Sequence, residues 1–398
     1  MKRLYAVVLL LALIWGVEAQ NRFEKIGNGF KQANTHYLDY VGQLTPAQYQ
    51  SIDSLLRVVC KDLNGTLLVA IDDSVLFSRA VGYLKLYRKA SYPQYGAEQR
   101  TNMSKAKTNA VNTNTFFELA SVSKQFTAAA VLKLVREGKL SLQDTLRQFF
   151  PQLPYRNITL HHLLSHTSGL PEYFDFKQEY YDTSKLLTNT ELVNILSKRK
   201  PKILFQAGEK FKYINTNYAL LAAIVAKISG MKFENYVRQN LFIPAGMTQT
   251  FFITEKMSQK QLHIATGHLN NGSEVAPFFM DGTVGDKGIY SNVEELFKWY
   301  KAYFLDYKIL PENWVALAMQ QENYVNNGDT VKELYGYGLR LNSSETHGFY
   351  VYHGGLWRGY SHVWIYRPED RFYAIFLSNF VNRSHRGRSG QLLEIKDR

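Results

Sequence analysis

The amino-acid sequence predicts an α+β fold: one antiparallel sheet, flanked by helices and interrupted by a long helical insertion. Two apolar runs, 65–71 and 75–83, alternate as strands do, and the Asp-Asp-Ser segment at 72–74 is typical of a hairpin turn. Residues from about 116 to 310 are largely helical in pattern. Strand-like runs return at about 335–341, 348–354, 361–367 and 372–378. A helical lobe is therefore inserted between two parts of one sheet, with a cleft between lobe and sheet.

Capping residues mark the helices of this insertion. A polar N-cap side chain accepts a hydrogen bond from the first turn, and a glycine after the last turn permits a left-handed end. Gly138, which follows an apolar segment at 125–137, and Gly230 stand where such ends are expected. The N-caps Thr159, Thr190, Asn217 and Asn292 predict helices over 161–165, 191–197, 218–229 and 293–303.

The first residues are typical of a secretory signal peptide. Lys2 and Arg3 precede an apolar run over 4–17, and small residues stand at Val17 and Ala19. We predict that residues 1–19 are a signal peptide cleaved after Ala19. Residues 20–64 are then a mostly helical lead-in to one domain over 65–398. The mature protein is expected to be exported, periplasmic or extracellular, and no later run is long enough for a membrane span.

Composition limits the chemistry of the chain. Its 398 residues include a single cysteine, Cys60, so an intrachain disulfide is excluded. Cys60 lies in an apolar helical stretch with no zinc-type ligand spacing beside it, so neither a metal nor a cofactor is expected. The formal net charge is +13, but the basic residues are scattered and export argues against nucleic acid. We expect a small-molecule or peptide substrate, with cell-wall material among the candidates.

Ser121 and Lys124 form the most informative pair in the sequence. The short apolar run 116–120 turns there into a helix, so Ser121 lies near the positive end of the helix dipole. Lys124 follows three residues later and is expected to lie on the same face of the helix as Ser121. A serine hydroxyl needs a base in contact to become a nucleophile, and a lysine in apolar surroundings can lose its proton. The alternative is a capping serine followed by a solvated lysine.

Tyr213 and Asn215 are a second candidate pair. A tyrosine beside a lysine can have its pKa lowered from about 10 by the positive charge, and it could then move a proton. Asn215, two residues on in an extended segment, offers a donor and an acceptor for a substrate amide. The alternative is an aromatic core residue and a capping asparagine.

The third candidate group is His353-Gly-Gly355, at the end of an apolar strand. Glycine at a strand end lets a ligand approach the backbone closely. The backbone N–H of Leu356 is then expected to form an oxyanion hole with that of Ser121. His353 would add a donor or a partial positive charge at the rim of the cleft, unless it belongs only to a glycine-rich turn.

The three groups together resemble the motifs of a known enzyme family. Ser121-Val-Ser-Lys124, Tyr213-Ile-Asn215 and His353-Gly-Gly355 occur in the order and spacing of the motifs of penicillin-recognising serine enzymes. Over about 65–379 the chain resembles the class C β-lactamase-related family, which includes D-alanyl-D-alanine carboxypeptidases and esterases. The resemblance implies a β-lactamase/transpeptidase-like fold with the active site in the cleft.

The resemblance also implies roles for these residues. Ser121 would be the acyl-accepting nucleophile, and Lys124 and Tyr213 would share the acid and base work. Asn215 would hold the amide of the acyl side chain, and His353 and Gly355 would line the opposite wall together with Leu356. The order in which Lys124 and Tyr213 take the serine proton stays open at this point.

Two departures from the family pattern favour a peptidase or an esterase. His353 stands where lysine is usual in these β-lactamases, and a histidine is largely neutral near pH 7. Ile214 replaces the usual serine of the second motif. The leading hypothesis is an exported serine hydrolase that cleaves an ester or amide, such as a D-amino-acid peptide. The alternatives are a β-lactamase proper and a penicillin-binding-type sensor without turnover. The loops at 87–114 and 172–189 are expected to select the substrate.

Overall fold

The computed structural model describes residues 40–41, 64–85, 110–252, 263–269, 272–320, 334–381 and 392–393. The predicted signal peptide over 1–19 lies outside them, as does the loop from 87 to 109. Of the predicted helical lead-in over 20–64, only residues 40–41 and 64 are described. Tyr40–Val41 is a strand that pairs with residues 77–78, so this part of the lead-in is not helical.

Two antiparallel sheets contain all the strands of the described residues. In chain order these are β1 (Tyr40–Val41), β2 (Gly65–Ile71), β3 (Ser74–Val81), β4 (Phe117–Glu118), β5 (Phe251–Phe252), β6 (Ile289–Ser291), β7 (Leu334–Tyr335), β8 (Arg340–Ser344), β9 (Gly348–Trp357), β10 (Tyr360–Arg367) and β11 (Phe372–Ser378). The large sheet has the order β1-β3-β2-β11-β10-β9-β8-β7, and the small one β4-β6-β5.

The large sheet is split along the sequence as predicted. The first hairpin, β2 and β3, pairs with the last strand through β2, in a register that runs from Gly65 opposite Ser378 to Ile71 opposite Phe372. The predicted strand at 335–341 is wrong, because it divides into β7 and β8. Gly338, with φ of +75°, breaks the run where the chain passes over residues 124–128.

The helices lie mostly between β4 and β7. They are α1 (Lys124–Arg136), α2 (Leu146–Phe149), α3 (Leu160–Leu164), α4 (Asn189–Arg199), α5 (Asn215–Ser229), α6 (Phe233–Val237), α7 (Val293–Tyr300) and α8 (Glu312–Ala318). A 3₁₀ turn over Ala120–Ser123 leads into α1, and π-helical turns extend α6 and α7. No helix of the described ranges is long and apolar enough to cross a bilayer.

Two of the four predicted N-caps are confirmed. Thr159 accepts a hydrogen bond from the N–H of residue 162, and Asn292 accepts one from that of residue 295. The other two are wrong, by two residues for Thr190 and by three for Asn217. Helix α4 is capped by Thr188, which forms a reciprocal capping box with Glu191. Helix α5 begins at Asn215, because the Asn217 side chain is used in the interior, where it accepts from the Ser168 hydroxyl.

The predicted helix ends at glycine are confirmed. Gly138 and Gly230 both have φ of +68°, in the left-handed region that other residues adopt only at a cost.

Helix α1 lies at the centre of the fold, because it packs both on the large sheet and on the helical lobe. The sheet residues Val351, Trp364 and Tyr373 belong to the same apolar core as α1 and α5. Val363 and Ile365 lie on the opposite face of the sheet, where a second core includes Leu392 and Leu393. The buried helix therefore holds its first residue at the junction of lobe and sheet.

Trp299 of α7 packs against helix α1 and donates a hydrogen bond to it. Its side chain is fully buried, its Nε1–H donates to Gln125 Oε1 at 2.8 Å, and its ring centre lies 4.4 Å from that of Phe126. Replacing it by alanine leaves a large cavity and an unpaired Gln125 amide oxygen.

We expect W299A to lower the free energy of unfolding by about 3–5 kcal/mol, measured by urea denaturation. Asn194 is exposed on α4, so N194A is a matched control that should change it by less than about 0.5 kcal/mol. Equal, small effects of the two substitutions would contradict a central role for α1.

Candidate active site

Ser121 lies in the 3₁₀ turn that joins β4 to α1, at the junction of the small sheet, the large sheet and the helical lobe. The preceding Ala120 has φ of +50°, a left-handed conformation that costs a non-glycine residue about 1 kcal/mol. Lys124, not Ser121, is the first residue of the α-helix. The pair keeps the predicted spacing of three residues, and the lysine side chain is fully buried.

The ammonium or amine group of Lys124 has three close neighbours. Its Nζ lies 3.1 Å from Ser121 Oγ, 2.8 Å from Asn215 Oδ1 and 2.9 Å from the backbone oxygen of Asp286. The last two atoms can only accept, so they take two of the N–H bonds. The remaining hydrogen or lone-pair position of Nζ points at Ser121 Oγ. When Lys124 is neutral, its lone pair lies in that direction and can accept the serine proton.

Burial is the main influence on the charge of Lys124. It lowers the pKa of this lysine to about 8, although the carboxylates of Asp286 and Glu172 oppose the change. A solvated lysine would hold its proton more than two pH units higher. The alternative of a capping serine beside a solvated lysine is therefore excluded by the geometry.

Asn215 is positioned by a residue that the sequence analysis missed. Glu172 Oε2 accepts from the backbone N–H of Asn215 at 2.7 Å and from its Nδ2 at 3.0 Å. This fixes the amide so that Oδ1 faces Lys124. Asn215 begins α5 and is not in an extended segment as predicted. Its amide oxygen and one amide N–H are already engaged within the protein.

Tyr213 lies beside the pair, but its predicted pKa shift has the wrong sign. Its ring centre is 4.9 Å from Lys124 Nζ, yet burial raises the pKa of Tyr213 well above its ordinary value. The Ser121 hydroxyl and the Arg340 guanidinium lower it only in part. Desolvation of the phenolate outweighs the nearby positive charges because the side chain is fully enclosed. Tyr213 is therefore protonated at neutral pH.

His166 fixes the segment that carries Tyr213. Its Nδ1 accepts from the backbone N–H of Ile214 at 3.1 Å, and its ring centre lies 4.4 Å from that of Tyr213. Burial and the charge of Lys124 hold the pKa of His166 well below its ordinary value, so it is neutral.

His353 is buried and neutral, which corrects the expected partial positive charge at the rim. It is 1% exposed, and burial, with the positive charges of Arg340 and Lys124, keeps its pKa well below the ordinary value. Nδ1 lies 2.7 Å from the oxygen of Gly354, which can only accept, so the ring proton is on Nδ1. Nε2 then accepts from the Tyr335 hydroxyl at 3.0 Å. Both ring nitrogens are engaged in the interior.

Gly355 allows β9 to lie directly against the turn that carries Ser121. A Cβ atom at this position would be 2.5 Å from the backbone oxygen of Leu119. The pairing of β9 with β8 ends at Arg340 opposite Tyr352, so the last five residues of β9 extend beyond it, towards Ser121. Leu356 is in this extension, with a side chain that is 49% exposed. Its backbone N–H as an oxyanion donor stays a prediction.

Arg340, Asp286 and Lys287 were also missed by the sequence analysis. The guanidinium carbon of Arg340 lies 4.9 Å from the ring centre of Tyr213. Asp286 and Lys287 form a buried ion pair next to Lys124. The only sequence signal of Asp286 and Lys287 is that they form a charged dipeptide between two glycines, which by itself is typical of an exposed turn. Within the described parts of the chain, no three His, Cys, Asp or Glu side chains are grouped as metal ligands.

Comparison with known proteins shows the family of this chain. The family model described as Beta-lactamase matches residues 63–395. The chain belongs to the Beta-lactamase family. It is similar to penicillin-binding protein 4* of Bacillus subtilis (strain 168), with 31% identity over 79% of this chain and 68% of that protein. Protein flp of Staphylococcus aureus (strain NCTC 8325 / PS 47) is 26% identical over 67% of this chain, which spans about half, 53%, of its length.

A solved structure supports the fold of this Beta-lactamase family member. D-amino acid amidase from Ochrobactrum anthropi SV3, complexed with L-phenylalanine amide, superimposes with a TM-score of 0.70 over 88% of this chain and 99% of the amidase. Its sequence identity is 20%, so the similarity concerns the fold alone. The predicted fold class and the predicted family are both confirmed.

The close contact at Gly355 gives a prediction for this family member. We expect G355A to lower the free energy of unfolding by about 1–3 kcal/mol, because β9 must move away from the Ser121 turn. G354A is the matched control: its added Cβ would lie 3.7 Å from the nearest atom, the oxygen of His362. Urea denaturation of both variants checks this, and equal stability would contradict it.

Proposed function

We propose that this chain is an exported serine hydrolase that cleaves an ester or amide bond through an acyl-enzyme on Ser121. The observation that carries the proposal is the arrangement of Lys124. It is buried, its Nζ is 3.1 Å from Ser121 Oγ, and two pure acceptors orient it so that one direction faces the serine. Membership of the Beta-lactamase family, whose relatives include penicillin-binding proteins, supports a serine hydrolase.

The proposed reaction has two half-reactions. Neutral Lys124 takes the Ser121 proton while Oγ bonds to the substrate carbonyl carbon. When the tetrahedral intermediate collapses, the leaving alcohol or amine takes a proton from the Tyr213 hydroxyl, and the Lys124 ammonium replaces it. Water then attacks the acyl-enzyme and gives its proton to Lys124, which returns it to Ser121 as the carboxylic acid leaves.

In this proposal Lys124 is the base and Tyr213 the acid, and the directions of their pKa shifts support these roles. Lys124, with a pKa of about 8, is partly neutral near pH 7. Tyr213 is protonated, because burial raises its pKa. A protonated phenol can donate to a leaving group but cannot take the serine proton. The backbone N–H groups of Ser121 and Leu356 are proposed to stabilise the oxyanion.

We further propose a substrate that carries a free carboxylate, such as a D-amino-acid peptide from the cell wall. His353 is neutral and engaged, so it supplies no charge for such a group. The Arg340 guanidinium lies over the Tyr213 ring, and it is fully charged at all physiological pH values. Export by residues 1–19 would bring the enzyme to such material.

Labelling by a fluorophosphonate tests the proposed function. We expect intact mass to show one adduct on the mature wild-type protein and none on S121A, because only an activated serine reacts. Thermal unfolding of S121A serves as the folding control. No adduct on a folded wild-type protein would overturn the hydrolase proposal and favour a penicillin-binding-type sensor without turnover.

A substrate panel then distinguishes the classes. D-Ala-D-Ala peptides with a free carboxylate should be cleaved faster than their C-terminal amides, since Arg340 recognises the anion. Simple esters and penicillins complete the panel. Rapid release of hydrolysed penicillin would favour a β-lactamase proper, and equal rates for free and amidated peptides would contradict the carboxylate proposal.

The charge state of Lys124 predicts a pH dependence. The rate of Ser121 labelling should rise with pH as Lys124 loses its proton, with an apparent pKa of about 8, and level off above it. K124M should be labelled more slowly by a factor of about 10² or more, and its labelling rate should no longer rise with pH around 8. A wild-type rate that does not change between pH 6.5 and 9.5 would exclude Lys124 as the base.

A further inference from the structure

Two glycines fix the segment that supplies a backbone oxygen to Lys124. Gly285 and Gly288 have φ of +99° and +100°, and a Cβ on Gly285 would lie 2.5 Å from the backbone oxygen of Tyr218. The Thr127 hydroxyl donates to the oxygen of Gly285 at 2.7 Å, and the N–H of Gly288 donates to Glu118 at 2.8 Å. The segment is therefore anchored to α1, α5 and β4.

The two residues between these glycines are an ion pair without access to water. Their side chains are 1% and 4% exposed for Asp286 and Lys287, and Lys287 Nζ is 3.4 Å from Asp286 Oδ2. The Tyr173 hydroxyl donates to that same oxygen at 2.9 Å, and it accepts from Lys287 Nζ at 2.6 Å. Asp286 Oδ1 is buried with no hydrogen-bond partner. Burying a charge this completely costs free energy of folding unless a partner neutralises it.

Lys287 is held over three aromatic rings. Its Nζ lies 5.3 Å from the ring centre of Tyr173, 5.5 Å from that of Phe174 and 5.1 Å from that of Trp357. Its Nζ also donates to the Thr283 hydroxyl. Aromatic faces and hydroxyl oxygens both favour the charged form of a lysine, against the effect of burial.

Asp286 therefore contacts two lysines, Lys124 through its backbone oxygen and Lys287 through its carboxylate. Its backbone oxygen accepts from Lys124, and its carboxylate favours the protonated form of Lys124, which cannot act as a base. Lys287 Nζ lies 3.4 Å from Oδ2 of the same carboxylate. A cation there offsets the field that Asp286 exerts on Lys124.

We propose that Lys287 is a positioning residue for Lys124: its charge neutralises Asp286, so that Lys124 can release its proton near neutral pH while the Asp286 backbone oxygen still orients it. This inference rests on the proposed function, because it concerns the same base. The ion pair is thus a part of the site that sets the working pH range of the serine.

Other charged and titratable groups face Lys124 and must be separated from this effect. From the elements packed around it they are Asp286, Glu172, Glu118, Arg340, His166, His353, Tyr213 and Tyr218. Lys287 itself faces Asp286, Glu118 and Asp281. Glu118 is the one whose titration overlaps, because burial raises its pKa to about 7. Measurements on an E118Q background remove this overlap, since glutamine keeps an oxygen for the N–H of Gly288.

The test is the pH dependence of fluorophosphonate labelling at Ser121. In K287M the carboxylate of Asp286 is no longer neutralised, so the alkaline-rising limb should move up by about one pH unit. In D286N the carboxylate is removed, so the limb should move down by about one unit. K227M is the matched control, because Lys227 Nζ also lies over an aromatic ring, 5.3 Å from the centre of Phe150, outside the site. Its limb should stay within about 0.2 units of wild type.

Opposite shifts in K287M and D286N support the proposal, because loss of packing alone has no reason to change sign with the charge removed. Unchanged limbs in two folded variants, or shifts in the same direction, would overturn it. K287R should restore the wild-type limb if the charge matters. If K287M does not fold, D286N and K287R still decide the question. A wild-type protein that is never labelled would instead refute the proposed function, so the two failures are distinguishable.

Discussion

The burial of Lys124 is the constraint on which the rest of the site depends. Lys124 is fully buried at the first turn of its helix, so it loses the hydration that keeps a lysine protonated, and the protein replaces that water with two acceptors, Asn215 Oδ1 and the backbone oxygen of Asp286. Those acceptors come from the start of α5 and from a glycine-bounded segment before β6. The fold must therefore bring the helical lobe, the small sheet and α1 to one point.

The surroundings of this lysine are arranged so that few other groups compete for the proton. His166 and His353 are neutral because each is buried near positive charge, whereas Tyr213 keeps its proton because burial outweighs the nearby positive charge. The carboxylates that lie close by are engaged in turn: Glu172 by Asn215, and Asp286 by Tyr173. The result is a site where Lys124 can change charge near neutral pH while His166, His353 and Tyr213 do not.

The split sheet explains why the two halves of the site can be held so closely. Because β2 pairs with β11, the N-terminal hairpin closes onto the C-terminal strands, and β9 is an interior strand, sixth in the order of the eight-stranded sheet. Gly355 then allows that strand to contact the backbone of the Ser121 turn directly. The nucleophile comes from the inserted lobe and the opposite wall from the sheet, so the cleft exists only when both parts are folded.

The local features of the fold could be predicted from the amino-acid sequence alone. Spacing of three residues put Ser121 and Lys124 on one helical face, alternation identified most strands, and glycines at 138 and 230 marked helix ends, because each of these depends on neighbours in the chain. The charge states of the site residues, in contrast, depend on tertiary packing. The sign of the Tyr213 shift, the neutrality of His353 and the partners Glu172, Asp286 and Lys287 all depend on enclosure by segments far apart in sequence. Desolvation is a property of the packed molecule, and no local pattern records it.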